Sequence, residues 1–279
     1  MTPASLAPTA RTLEVKSARL YYEVRGQGPL VVLAGAPMDA GPFGPLAELL
    51  AADHTVLTTD PRGINRSPVD DPGQDSTPEI RADDLARLVA CADAGPAVVL
   101  GSSGGAVSAL ALTQAHPEQV HVVVAHEPPL LELLPDRAER HAGSEVVIAR
   151  WLAGDYAGSW RVFLDNANIQ LPEGVFEAVF GGEPDAQALA DTTYQNTHML
   201  RPTTRFVPDI AALRSVASRV VVGIGEGSAG QVCDRTSRAL AAELGIEPTM
   251  FPGGHTGFAE DPAGFAGRLR SVLRVARGS

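Results

Sequence analysis

The chain has 279 residues, 44% hydrophobic and 20% charged, a composition ordinary for a globular protein and long enough for one large α/β domain with an insertion. Acidic residues outnumber basic ones 33 to 22, a formal net charge of −11, which argues against nucleic acid or an anionic membrane as partner. Cys91 and Cys233 have no second Cys or His at ligand spacing, which argues against a metal site, excludes a disulfide scaffold and leaves two buried thiols as the expectation.

In chain order, residues 1–10 lack the basic start and apolar run of a secretory leader. No apolar stretch approaches the ~20 residues of a membrane span, so a cytoplasmic protein with a small-molecule substrate is expected. Thr12–Val15 and Arg19–Val24 alternate apolar with polar, as two antiparallel edge strands would. Pro29–Ala34 is a continuous apolar run, the mark of a strand buried on both faces. It breaks at Gly35-Ala36-Pro37, and helix signals follow over Gly44–Ala52. His54–Thr59 reads as the next strand, and Thr77–Ala92 as a helix with Ser76 as its cap and Leu85, Leu88, Val89 and Ala92 on one side. Strand Ala97–Leu100, helix Gly105–Ala115 and strand Gln119–Ala125 continue the alternation.

The interval from Pro129 to about Pro208 breaks that rhythm. Val146–Leu152, Trp160–Leu164, Val175–Phe180 and Ala186–Tyr194 carry apolar residues at helical spacing, with no convincing strand. Beyond it come strand Arg219–Ile224, helix Thr236–Leu244, strand Glu247–Phe251 and helix Gly264–Val275. The fold class expected is α/β, a mostly parallel central sheet with helices on both faces. Residues 1–128 and 209–279 would form the core, with 129–208 as an all-helical cap over the strand ends.

One segment carries chemistry. Ala97–Leu100 runs into Gly101-Ser102-Ser103-Gly104-Gly105, a G-x-S-x-G pattern between a buried strand and an Ala-rich helix. That is the setting of a nucleophile elbow, in which a sharp turn exposes the central Ser at a helix N-terminus and the glycines avoid steric clash. Ser103 is the candidate nucleophile. Acyl transfer also needs two donors for the oxyanion. The N–H of Gly104 is one, and Ala36, on the turn after the earlier buried strand, is the natural second, since Pro37 has no N–H. His255, on the Gly-rich loop Pro252–Gly257 after the last strand, is the candidate general base; the other six histidines lack this setting.

With these residues in place the sequence resembles the α/β-hydrolase superfamily over essentially its whole length. Asp60-Pro61-Arg62-Gly63-Ile64-Asn65-Arg66-Ser67 is similar to that family's D-x-R-G-x-G-x-S segment, with Asn65 where Gly is usual. Ala34-Gly35-Ala36-Pro37 is similar to its H-G-x-P turn, with Ala34 in place of His. The resemblance implies a triad in the chain order nucleophile, acid, histidine, a helical cap and no cofactor. The acid departs from the pattern: Ser228 falls where Asp is expected. Two carboxylates remain open. Glu127 ends the strand after the nucleophile helix and is preferred; Glu226, two residues before the expected place, is the alternative.

Esters and lactones lead as substrates. Amides, carbon–carbon bonds and cofactor-free perhydrolysis use the same triad and stay open, as does a non-catalytic ligand-binding protein on this fold. Gly223-Ile224-Gly225-Glu226-Gly227 resembles a dinucleotide fingerprint, but its third glycine would fall at Ser228 and it does not follow the first strand.

Overall fold

The computed structural model describes residues 7–277. Residues 1–6, part of the segment read for a leader, lie outside that range. Eight strands form one sheet: β1 (Thr9–Val15), β2 (Ala18–Arg25), β3 (Leu30–Ala34), β4 (Thr55–Thr59), β5 (Ala97–Ser102), β6 (Val120–His126), β7 (Val220–Gly225) and β8 (Thr249–Phe251), in the order β1-β2-β4-β3-β5-β6-β7-β8. β1 and β2 pair antiparallel at one edge, and β3 to β8 run parallel. The mostly parallel α/β sheet expected from the alternation is what forms.

Alternation within the buried strands divides the core in two. Val32, Ala34 and Val99 face one side of the sheet, packed against α2 (Pro78–Ala92), α3 (Gly104–Ala115) and α10 (Val232–Leu244). Val31, Leu33, Val98 and Leu100 face the other, against α1 (Gly44–Leu50), α11 (Gly257–Glu260) and α12 (Pro262–Arg277). Burial on both faces is why these strands read as unbroken apolar runs. α3 is enclosed on all sides from Gly104 to Thr113, which small residues such as Gly105, Ala106 and Ala109 permit.

Two expectations need correction here. Thr77, not Ser76, caps α2: its Oγ1 accepts from Ile80 N at 3.3 Å, while Ser76 is buried and bonds Arg81. Pro78 at the first helical position fixes the boundary one residue later. α10 begins at Val232, one turn before Thr236: Val232 and Asp234 are buried on the same helix as Leu240 and Leu244, and the polar Asp234 and Arg235 leave no apolar spacing in that first turn.

Between β6 and β7 the chain forms α4 (Arg137–Leu152), α5 (Tyr156–Asn166), α6 (Val175–Phe180), α7 (Ala186–Tyr194), a π-helical turn (Gln195–Met199), α8 (Leu200–Thr204) and α9 (Ile210–Ser215), with no strand among the described residues. This segment is tied to the core at the Asp60–Ser67 loop. Asn65, at φ 49°, adopts the left-handed conformation that Gly or Asn takes most readily. Its N–H donates to Asp191 Oδ1 at 2.9 Å and its Nδ2 to Asp39 Oδ2 at 2.8 Å. Gly63 lies directly under the Tyr194 ring, where any Cβ would overlap the aromatic carbons. Among the described residues no helix is long and apolar enough to cross a membrane.

Candidate active site

Ser103 sits between β5 and α3 at φ 56°, ψ −126°, a conformation that costs a non-glycine residue on the order of 1–3 kcal/mol. The surrounding packing holds it there. Its N–H donates to His126 O at 2.9 Å, and its carbonyl accepts from Ala106 N at 2.9 Å. The glycines are required by contact: a Cβ on Gly101 would strike Gly105 O, one on Gly104 would strike Ala36 O, and one on Gly105 would strike Ala34 O. The elbow is thus pressed against the turn after β3. Ala36 and Gly104 meet there, and neither N–H has an acceptor among the described residues. For Gly104 the reason is its place as the first residue of α3, ahead of any intrahelical partner. The Ala36–Pro37 peptide is cis.

Glu127 follows β6 at φ 54° and is fully buried. Its N–H continues the β6–β7 ladder to Gly223 O at 3.0 Å. Its Oε1 accepts from Gly225 N at 2.8 Å, and its Oε2 lies 2.5 Å from His255 Nδ1. Burial is the largest single influence on this carboxyl and pushes its pKa up, but its polar neighbours, the hydrogen bond and charge of His255 first among them, together hold the group below its ordinary value. Ser228, where the sequence pattern would place an acid, is buried beside Glu127 and helps lower it, although its Oγ closes no hydrogen bond. Glu226 is exposed and forms no hydrogen bond or salt bridge with His255 among the described residues.

The loop carrying His255 is pinned on both sides. Gly227 N donates to Gly253 O at 2.9 Å, and Gly254 N donates to Glu260 Oε2 at 3.0 Å. Thr256 Oγ1 donates to Glu260 Oε1 at 2.6 Å. Ser103 and His255 line one cavity of about 910 Å³, counted out to its mouth, together with Ala36 and Gly104. No hydrogen bond joins Ser103 Oγ to His255 among the described residues; an unliganded site often leaves this contact open until substrate arrives.

The structure therefore brings together Ser103, His255, Glu127, Ala36 and Gly104, and leaves Glu226 outside. It also corrects the expectation of two buried thiols. Cys91 is exposed, because it lies about 200° round α2 from Val89 on the buried face. Cys233 is half-buried and lines the cavity, its burial raising the thiol pKa. Its Sγ, a Glu127 oxygen and a His255 nitrogen all lie within 4.8 Å of one another. These could hold a cation only by parting Glu127 from His255. Sequence reasoning also missed Thr203, Gln195 and Gln231 on the cavity wall. They come from three separate elements and belong to no motif.

Residues 30–268 match the model of the alpha/beta hydrolase family. The chain is similar to an uncharacterized hydrolase, YraK, of Bacillus subtilis, with 33% identity over 275 residues, 94% of this chain and 95% of that one. It is also similar to 2-(acetamidomethylene)succinate hydrolase of Mesorhizobium japonicum, with 28% identity over 230 residues, 78% of each chain. Among solved structures, a bacterial membrane phospholipase A superposes with a TM-score of 0.72 at 18% identity, covering 98% of this chain and 87% of that one. At that identity the likeness concerns the fold alone.

Proposed function

The chain belongs to the alpha/beta hydrolase family, and on that premise we propose that it is a serine hydrolase acting by acyl transfer on a carboxylic ester or lactone of a small, largely apolar molecule. The observation that carries this reading is the 2.5 Å contact of Glu127 with His255 beside a cavity that Ser103 also lines. Ser103 Oγ attacks the acyl carbon while His255 Nε2 takes its proton. Glu127 accepts the Nδ1–H, fixes the tautomer and stabilises the imidazolium. The oxyanion that forms is held by the N–H groups of Ala36 and Gly104. Collapse expels the alcohol, which takes the proton from His255. Water, deprotonated by His255, then releases the acid and restores Ser103. Residues 129–208 act as a cap that walls the cavity and limits water.

The cavity wall supports an apolar substrate. Leu131, Phe163, Ile169, Met199, Leu200 and Val232 supply most of it. The succinate of the Mesorhizobium relative would bring two carboxylates to a wall without Lys or Arg among the described residues, so we do not carry that substrate over. Its acetamido group keeps amides as the second reading, since the same residues serve either bond.

The test is covalent labelling. A fluorophosphonate should modify Ser103 and abolish hydrolysis of a p-nitrophenyl ester. Label on another serine, or an active preparation that takes no label, removes the assignment.

A further inference from the structure

The cavity wall is peculiar in its charge. Among the described residues no Lys, Arg, Asp or Glu lines it, and His255 and Cys233 are its only titratable groups. Beneath His255 lies the ionised carboxylate of Glu127. A negative group on a ligand would lose its hydration here without meeting a cation, and would face Glu127 besides.

Polar groups on the wall are mostly committed to the protein. Ser144 Oγ donates to Arg140 O at 3.0 Å and Thr204 Oγ1 to Leu200 O at 2.9 Å. Asn166 Nδ2 donates to Arg140 O at 3.0 Å, and Thr203 Oγ1 accepts from Arg81 at 2.8 Å. Two carboxamides differ. Gln195 opens the π-helical turn after α7, and Gln231 precedes α10 without capping it. Both line the cavity, and neither side chain has a hydrogen-bond partner among the described residues. The π-helical turn also sends Met199 to the same wall. Such turns interrupt regular helices frequently where a site must be shaped. A carboxamide offers both donors and an acceptor, so it pairs with a hydroxyl or a carbonyl without needing charge.

We propose that the cavity selects an uncharged acyl substrate bearing, away from its scissile carbonyl, a hydroxyl or carbonyl group that Gln195 and Gln231 read. This rests on the serine-hydrolase reading and adds its substrate class. Gln195 and Gln231 then determine specificity, while Ser103, His255 and Glu127 carry the chemistry.

The experiment compares labelling rates of the whole protein by three fluorophosphonates of equal length, ending in a methyl, a hydroxyl or a carboxylate. The hydroxyl probe should label Ser103 about fivefold faster than the methyl probe, the effect of roughly one net hydrogen bond. The carboxylate probe should be slower than the methyl probe by at least about a hundredfold. Gln195→Leu or Gln231→Leu should bring the hydroxyl-to-methyl ratio towards one. A carboxylate probe as fast as the methyl probe overturns the inference, as does a ratio that neither variant moves. Failure of all three probes to label Ser103 overturns the serine-hydrolase reading and this inference with it.

Discussion

Glu127 and His255 stand 128 positions apart in the chain, yet the carboxylate Oε2 lies 2.5 Å from the ring Nδ1. The same carboxylate accepts from Gly225 N through its other oxygen, so it is fixed at both ends. Glu127→Gln should therefore lower kcat by roughly 10²–10⁴, the range for loss of an orienting acid. Glu226→Gln, an exposed change, should cost less than about tenfold. Steady-state kinetics on a p-nitrophenyl ester decide the matter, and the reverse ranking would transfer the role to Glu226.

The two serines of the elbow should separate cleanly. Ser102 is buried, with its Oγ 3.4 Å from His126 Nδ1, and does not line the cavity. Ser103→Ala should reduce kcat by about 10³-fold or more with the melting temperature retained. Ser102→Ala should keep most activity. Equal losses from both would show that the elbow's packing, not the Ser103 hydroxyl, had been measured.

Arg81 joins three elements. It donates through Nε to Ser108 of α3 at 2.8 Å, through Nη2 to Thr203 of α8 at 2.8 Å, and through Nη1 to the carbonyl of Ser76. Burial lowers its pKa to about 10, still high enough for full charge at neutral pH. Arg81→Leu strands several buried acceptors, and urea unfolding should show a loss of about 3–5 kcal/mol. Arg201→Ala breaks only a partly exposed pair with Glu145 and should cost under about 1 kcal/mol. Similar losses from both variants would count against the buried network.

His126 supplies a pH dependence of stability. Packed among Phe251, Phe258 and Phe265, its ring is fully buried, and burial lowers its pKa to about 4. In the unfolded chain it titrates near 6.5. Between those values the unfolded state binds a proton that the native state refuses, so stability falls as pH drops through the window, by at most about 1.4 kcal/mol per pH unit. The loss should be absent above pH 6.5 and complete near 4. His126→Leu should flatten a plot of melting temperature against pH over that range. Its remaining decline should begin below the ordinary glutamate value of about 4.3, where the unfolded chain takes up a proton that the depressed carboxyl of Glu127 refuses. Parallel curves for the two proteins would rule His126 out as the source.

The parts of the protein that depend on neighbours in sequence were legible in the sequence. Strands β3 and β5 are buried on both faces, so Leu30–Ala34 and Ala97–Leu100 read as unbroken apolar runs, and β6 does so over Val122–Ala125. At the elbow, Gly101 is required because the backbone folds back onto Gly105 O within five residues, a local demand that leaves a local pattern, whereas Gly104 and Gly105 are required by the turn after β3, whose Ala36 O and Ala34 O press against them. The choice between Glu127 and Glu226 was different in kind. Both are glutamates at strand ends, and what separates them is the pairing of β6 with β7 and the packing of the Gly253-Gly254 loop against Gly225. Cys233, Thr203, Gln195 and Gln231 converge on one cavity from α10, α8, a π-helical turn and the segment before α10. Each is set by long-range packing of helices against the sheet. No spacing along the chain encodes such a meeting: the alternation of strands and helices and the turn at Ser103 follow from neighbouring residues, whereas the partner of His255 and the composition of the cavity wall follow from how distant elements pack.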